Sequence, residues 1–142
     1  MRDEASRWLS EAKWDLETAE LLYRHGRFNA ACFYAQQAAE KAVKALLFLI
    51  NEAPWGHSVR LLIERWARVT GVEVSREIMV CARELDRHYI PSRYPNALPA
   101  GTPHEAYDEE TAKRALECAR AILNYVENEF NRRIRENSSG SR

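Results

Sequence analysis

Residues 28–50 read FNAACFYAQQAAEKAVKALLFLI, and two apolar stripes run through them. One takes Ala31, Ala35, Ala38, Ala42, Ala45 and Leu49; the other takes Cys32, Ala39, Val43, Leu46 and Ile50. Steps of three and four are the period of an α-helix. Two adjacent stripes require neighbours on more than one side, so this segment is expected to be the central helix of a bundle. Its alanines would let a partner helix approach closely. Gln36, Gln37, Glu40, Lys41 and Lys44 form the remaining polar edge, which reads as a solvated face or as the lining of a partner groove. Pro54 and Gly56 are expected to end the helix.

The flanking segments carry single stripes. Ala5, Leu9, Ala12, Leu16, Ala19 and Tyr23 predict an amphipathic helix before Gly26. Ser58 is placed to cap a shorter helix, with Leu61, Leu62, Trp66 and Val69 inward and Gly71 as its stop. Ser75 is placed to cap a fourth, with Ile78, Ala82, Leu85 and Tyr89 on one face, and Pro91 cannot continue it. Asp108 is placed to cap a last long helix whose inner face is Ala112, Ala115, Ala119, Ile122, Val126 and Phe130. The expectation is therefore an all-α domain, an antiparallel up-and-down bundle of four to five helices over residues 1–130, with 131–142 as a flexible C-terminal tail.

Between the last two helices, residues 90–107 read IPSRYPNALPAGTPHEAY and hold four of the five prolines. A loop of this length in a compact domain tends to be functional or disordered. Its prolines, with Tyr94, Leu98 and Tyr107 as anchors, predict an ordered, wrapped loop.

Composition narrows the function classes. The chain has 46% hydrophobic residues, which argues against disorder, and 21 basic against 21 acidic side chains. Zero net charge argues against a DNA-coating or polybasic membrane protein. Cys32, Cys81 and Cys118 are isolated and odd in number, which favours buried thiols in a reducing, cytoplasmic setting. The N-terminus lacks the apolar core of a signal peptide, and no apolar run is long enough to span a membrane.

The residues best suited to chemistry cluster in Arg83-Glu84-Leu85-Asp86-Arg87-His88-Tyr89, followed by Arg93 and Tyr94. A histidine can move protons near neutral pH, and guanidinium groups can hold a phosphate. Glu84 lies one turn before His88 and is placed to orient its ring. Arg83 and His88 are five positions apart, about 140° around a straight helix, so a symmetric dimer would be needed to converge two copies. A solvated, charge-laced helix face is the plainer reading of the same residues. Of the other histidines, His25 reads as part of a helix C-cap, His57 as part of the cap and turn before Ser58, and His104 as a loop residue. The four show no metal-ligand spacing, and no glycine-rich phosphate loop is present, so no metal and no cofactor are expected.

Three stretches together resemble the HEPN family. The run from Ala30 to Leu47 is similar to the family's second-helix signature, Gly56-His57-Ser58 to its entry into the third helix, and Leu85 to Ala97 (LDRHYIPSRYPNA) to the loop of one prokaryotic branch. The resemblance covers about Ala5 to Asn128. It implies a helical bundle that is commonly a homodimer. Many members are metal-independent endoribonucleases with an Arg-x4–6-His motif, which Arg83 and His88 match with four residues between them. Others pair with a separately encoded minimal nucleotidyltransferase, the HEPN protein being the toxin and the transferase its antidote. Some of these toxins carry a modifiable tyrosine two residues after the histidine; that position is Ile90 here, and Tyr89 lies one residue early.

Two functions follow as expectations, beside a third reading as a purely structural dimer. As an enzyme, the chain would cleave RNA with Arg83 and His88, Glu84 orienting the histidine. As a binding module, it would hold a nucleotide or RNA with Arg87, Tyr89, Arg93 and Tyr94 beside the Ile90–Tyr107 loop, or serve as the non-catalytic helper of a nucleotidyltransferase.

Overall fold

The computed structural model describes residues 2–140, and no strand occurs among them. Five long helices form the molecule: α1 (Arg2–Arg24), α2 (Phe28–Leu49), α3 (Val59–Thr70), α4 (Arg76–Asp86) and α6 (Glu109–Gly140). A single-turn helix α5 (Pro103–Ala106) and a 3-10 turn (Pro95–Ala97) lie in the connection between α4 and α6. The chain is thus the expected helical bundle.

Helix α2 is its centre and packs against α1, α3, α4, α5 and α6. Ala31, Ala35, Ala38, Ala39, Ala42 and Ala45 are fully buried, together with Cys32, Leu46 and Leu47. Small side chains on several faces let the neighbouring helices seat closely. The α1 stripe packs as read: Ala5, Leu9, Ala12 and Ala19 are buried, and Leu16 and Tyr23 pack at the edge of the core. The predicted inner face of α6 is buried from Ala112 to Phe130.

The helix ends follow backbone chemistry. Gly26, at φ 75°, ends α1, and the Arg27 N–H reaches back to the Leu22 carbonyl. Ser58 and Ser75 accept hydrogen bonds from the N–H groups of Leu61 and Ile78. Asp108 does the same for Thr111. Helix α2 ends earlier than Pro54: Asn51 adopts φ 61° and the Glu52 N–H bonds the Leu47 carbonyl at 2.8 Å. Asparagine tolerates this left-handed position, so no proline is needed.

Three expectations are corrected. In α3 the buried face is Val59, Leu62, Ile63 and Trp66, while Leu61 and Val69 are about half exposed. The Trp66 indole donates to the Tyr125 hydroxyl at 3.0 Å, which ties α3 to α6. The polar edge of α2 is not a solvated face: Gln36, Glu40 and Lys44 are buried. Lastly, the segment beyond Phe130, read as a tail over 131–142, continues α6 as helix to Gly140. Ile134 packs against the core, and Arg132 pairs with Glu129 and Glu136. Residues 141 and 142 lie outside the described residues.

Candidate functional site

The end of α4 holds the residues with chemical potential, and its first feature is a carboxylate held against the start of α3. Asp86 accepts hydrogen bonds from Ser58 Oγ at 2.7 Å, from the Val59 N–H at 2.6 Å and from the Arg60 N–H at 3.2 Å. Free N–H groups at a helix start attract an anion. Asp86 is that anion for α3, and the contact pins the start of α3 to the end of α4.

His88 follows immediately and is 6% exposed. Its Nε2 lies 3.2 Å from Glu84 Oε2, one turn earlier on α4, and its Nδ1 lies 2.9 Å from the Tyr107 hydroxyl. A neutral ring satisfies both partners: Nε2–H donates to the carboxylate, and the tyrosine O–H donates to Nδ1. Burial lowers the pKa of His88, and the nearby Glu84 carboxylate opposes that shift. Glu84 also pairs with Arg87 at 3.0 Å and Arg114 at 3.4 Å. Ser92 Oγ donates to the His88 carbonyl. Within one chain, the ring of His88 therefore has no free nitrogen. Arg83 sits exposed on α4 and makes no hydrogen bond or ion pair with His88.

The connection that follows is ordered by its own contacts. Thr102 and Glu105 form a reciprocal capping box on α5. Gly101 stands at φ 73°, where a Cβ would come within 3.3 Å of the Glu105 carboxylate. Tyr107 is the anchor of this segment, set edge-on to His88 and packed on the core. Tyr94, read as a second anchor, is 48% exposed. Its ring neighbours the Arg93 guanidinium at 5.0 Å.

Arg93 is the hub of a second cluster. Its guanidinium lies over Phe33 at 4.2 Å, Tyr89 at 4.7 Å and Tyr94 at 5.0 Å. Two of its nitrogens donate to the Tyr89 carbonyl, at 2.9 and 2.7 Å. A planar cation is favoured against aromatic faces, and this one is held with its remaining nitrogen unused by those bonds. On Tyr89 also rests the ring of His57, at 4.6 Å between centroids and 16° between planes. Asn29 donates to the Ser92 carbonyl at 3.1 Å, which fixes the turn that carries Arg93 to α2.

The structure thus divides the predicted site residues. Glu84, Arg87 and His88 form one network with Arg114 and Tyr107. Tyr89, Arg93 and Tyr94 form another with Phe33 and His57. Arg83 joins neither. Sequence reading missed Phe33 and His57 as members. Phe33 carries no polar atom, and His57 lies far from the arginine-rich segment in sequence; only the parallel presence of Gly56-His57-Ser58 among the family-like stretches marked it.

Among the described residues no helix is long and apolar enough to cross a membrane. The HEPN domain model matches residues 5–129. Among curated proteins, a candidate toxin of Methanocaldococcus jannaschii is 26% identical over 129 residues, spanning 86% of this chain and 85% of that one. Among crystal structures, TT1696 from Thermus thermophilus superposes with a TM-score of 0.83 at 39% identity, covering 87% of this chain and 96% of that one. An archaeal HEPN homologue, ST0689, superposes with a TM-score of 0.75 at 37% identity, covering 89% and 97%. A HEPN domain protein of Thermotoga maritima gives 0.72 at 36% identity, covering 89% and 98%. The chain belongs to the HEPN domain family.

Proposed function

We propose that this HEPN chain is a binding module for a ribonucleotide, free or within single-stranded RNA, with Arg93 as its phosphate contact and the exposed Tyr94 as a stacking surface. The observation that carries the reading is the guanidinium of Arg93 held between Phe33, Tyr89 and Tyr94. Arginine beside an exposed aromatic ring offers a donor for phosphate and a face for a base. Base–aromatic stacking is generally worth about 1–3 kcal/mol per base. Arg87 belongs to the Glu84 network and is assigned at most a long-range electrostatic part. A role beside a minimal nucleotidyltransferase fits the same module: the transferase would act, and this chain would present or hold the nucleotide.

A ribonuclease reading remains the second proposal, favoured by the toxin name of the Methanocaldococcus jannaschii relative. In it, Arg83 would hold the scissile phosphate and His88 would move the proton of the ribose 2′-hydroxyl. That step requires His88 to release Glu84 or Tyr107, and a homodimer to bring Arg83 within reach.

The two are separated by titrating a fluorescent oligoribonucleotide in excess EDTA and following anisotropy and strand length together. The binding reading expects saturable binding of intact RNA that weakens at least about tenfold on Arg93→Ala. Cleavage by the wild type that is lost in both His88→Ala and Arg83→Ala, with folding retained, would replace it by the ribonuclease reading.

A further inference from the structure

The four histidines differ in what their ring nitrogens do. His88 has both engaged, and His104 sits on the exposed α5 turn with Nδ1 3.2 Å from Thr102 Oγ1. His25 is an exposed helix-end residue. His57 combines a fixed inner nitrogen with an open outer edge. Its Nδ1 lies 3.2 and 3.3 Å from the two oxygens of Glu40, a carboxylate that is 4% exposed. Gln36 and Lys44 donate to the same carboxylate at 3.1 and 3.0 Å. Gln36 also donates to the His57 backbone carbonyl at 2.9 Å, so main chain and ring are both positioned from α2. Even so, the His57 side chain is 56% exposed. It borders a hollow of about 310 Å³ shared with Ser58, Arg60, Leu61, Asp86 and Tyr89.

A carboxylate on one imidazole nitrogen fixes the tautomer, leaving the proton on Nδ1 and the lone pair on Nε2. A ring that carries a proton on both nitrogens offers an N–H outward. Few structural ties need such an arrangement: a histidine serving only to satisfy Glu40 has no reason to keep its opposite edge in solvent, flat against a tyrosine that also carries Arg93.

Taking the Arg93 reading above as its basis, we propose that His57 is a second phosphate-binding group, active when its ring is charged. The ligand that suits both groups is a single-stranded ribonucleotide segment with a phosphate at Arg93 and another at His57, with Tyr89 between them. A mononucleotide would fill only half of such a site. The charged and titratable groups around His57 fit an incoming anion. Glu40 and Lys44 of α2 stand behind it as a pair. Arg60 of α3 lines the hollow. Asp86 of α4 has its charge taken up by Ser58 and two backbone N–H groups. Tyr89 and Arg93 complete the surroundings.

A fluorescent oligouridylate tests this, because neither uracil nor a phosphodiester gains or loses a proton between about pH 6 and 8. Anisotropy is measured at pH 6, 7 and 8 at constant ionic strength for wild type, His57→Gln, Glu40→Gln and Arg93→Ala. Wild type is expected to bind severalfold tighter at pH 6 than at pH 8, as binding that takes up a fraction of a proton does. His57→Gln, at an exposed position, should fold normally and bind with an affinity that no longer rises as pH falls. Glu40→Gln, which keeps the shape but not the charge, should lose most of the gain at pH 6. A wild-type affinity that is flat with pH, or a His57→Gln variant that keeps the wild-type pH dependence, overturns the proposal. If Arg93→Ala leaves binding unchanged at pH 8, the ribonucleotide-surface reading itself fails; if Arg93→Ala weakens binding but His57→Gln changes nothing, only the His57 subsite fails.

Discussion

Replacing Tyr107 by Phe removes one oxygen and leaves the ring that packs against His88 and the core. His88 would then keep its bond to Glu84 but lose the donor to Nδ1, in a residue that is 6% exposed. A buried polar atom left without a partner costs about 1–3 kcal/mol. For a chain of this size, each kcal/mol moves the melting temperature by about 3 °C. The expected result is a melting temperature lower by about 3–9 °C and a lower urea midpoint with an unchanged slope. The pH dependence has a definite sign. Burial lowers the pKa of His88, so just below about pH 6.5 the unfolded chain binds more protons than the folded one. The contribution of neutral His88 is complete above that pH and is lost as pH falls through the lowered folded-state value. The Tyr107 hydroxyl supports the neutral ring, so Tyr107→Phe should shrink the loss of stability between pH 7.5 and 5.5. A variant as stable as wild type at pH 7.5, with the same acid sensitivity, would refute the assignment of His88 as a ring satisfied on both sides.

Other consequences follow from the packing and the caps. Asp86→Ala removes the acceptor shared by Ser58, Val59 and Arg60, and should cost about 1–3 kcal/mol in urea denaturation, with hydrogen exchange rising first at the start of α3. Ala39→Leu places added volume on a fully buried face of α2 and should destabilise by about 1–3 kcal/mol by the same assay. A second copy could cover the exposed Trp14, Trp55, Leu61 and Ile90, so light scattering at micromolar concentration is expected to report a dimer mass; a monomer mass would count against it.

Much of the bundle was legible because its helices are separated by residues with a single physical meaning. Gly26 and Gly71 end helices by taking positive φ, and Ser58, Ser75 and Asp108 begin them by accepting from backbone N–H groups. The alanine stripes of α2 could only be a buried helix. What sequence could not give was the fate of its polar edge. Gln36, Glu40 and Lys44 have the composition of a solvated face, yet Gln36 and Glu40 meet His57 from a distant turn and Lys44 lies over Trp8 of α1; nearby, Asp15 of α1 pairs with Lys41 at 2.7 Å. Periodicity registers spacing along one helix and carries no information about such long-range partners.

The candidate site was legible in the same uneven way. The arginine-rich end of α4 and the proline-rich connection were marked by composition, and the one-turn spacing placed Glu84 beside His88. Tyr107 could not be foreseen as the partner of Nδ1, since it returns to His88 only after the whole connection has wrapped. Arg93 draws its position from Phe33 on α2, a contact between residues sixty positions apart in the chain. In both cases the local segment announces a charged group, and tertiary packing decides whether that group is satisfied or left facing solvent.

The central claim is that ligand chemistry belongs to the Tyr89–Arg93–His57 surface while His88 is a structural ring. Nitrogen-detected NMR of the histidine side chains, recorded at pH 6.5 with and without a short single-stranded RNA, tests it most directly. The expected result is that the His57 ring resonances move on RNA addition, while those of His88 are unchanged. Movement or protonation of the His88 ring, with His57 unaffected, would contradict it.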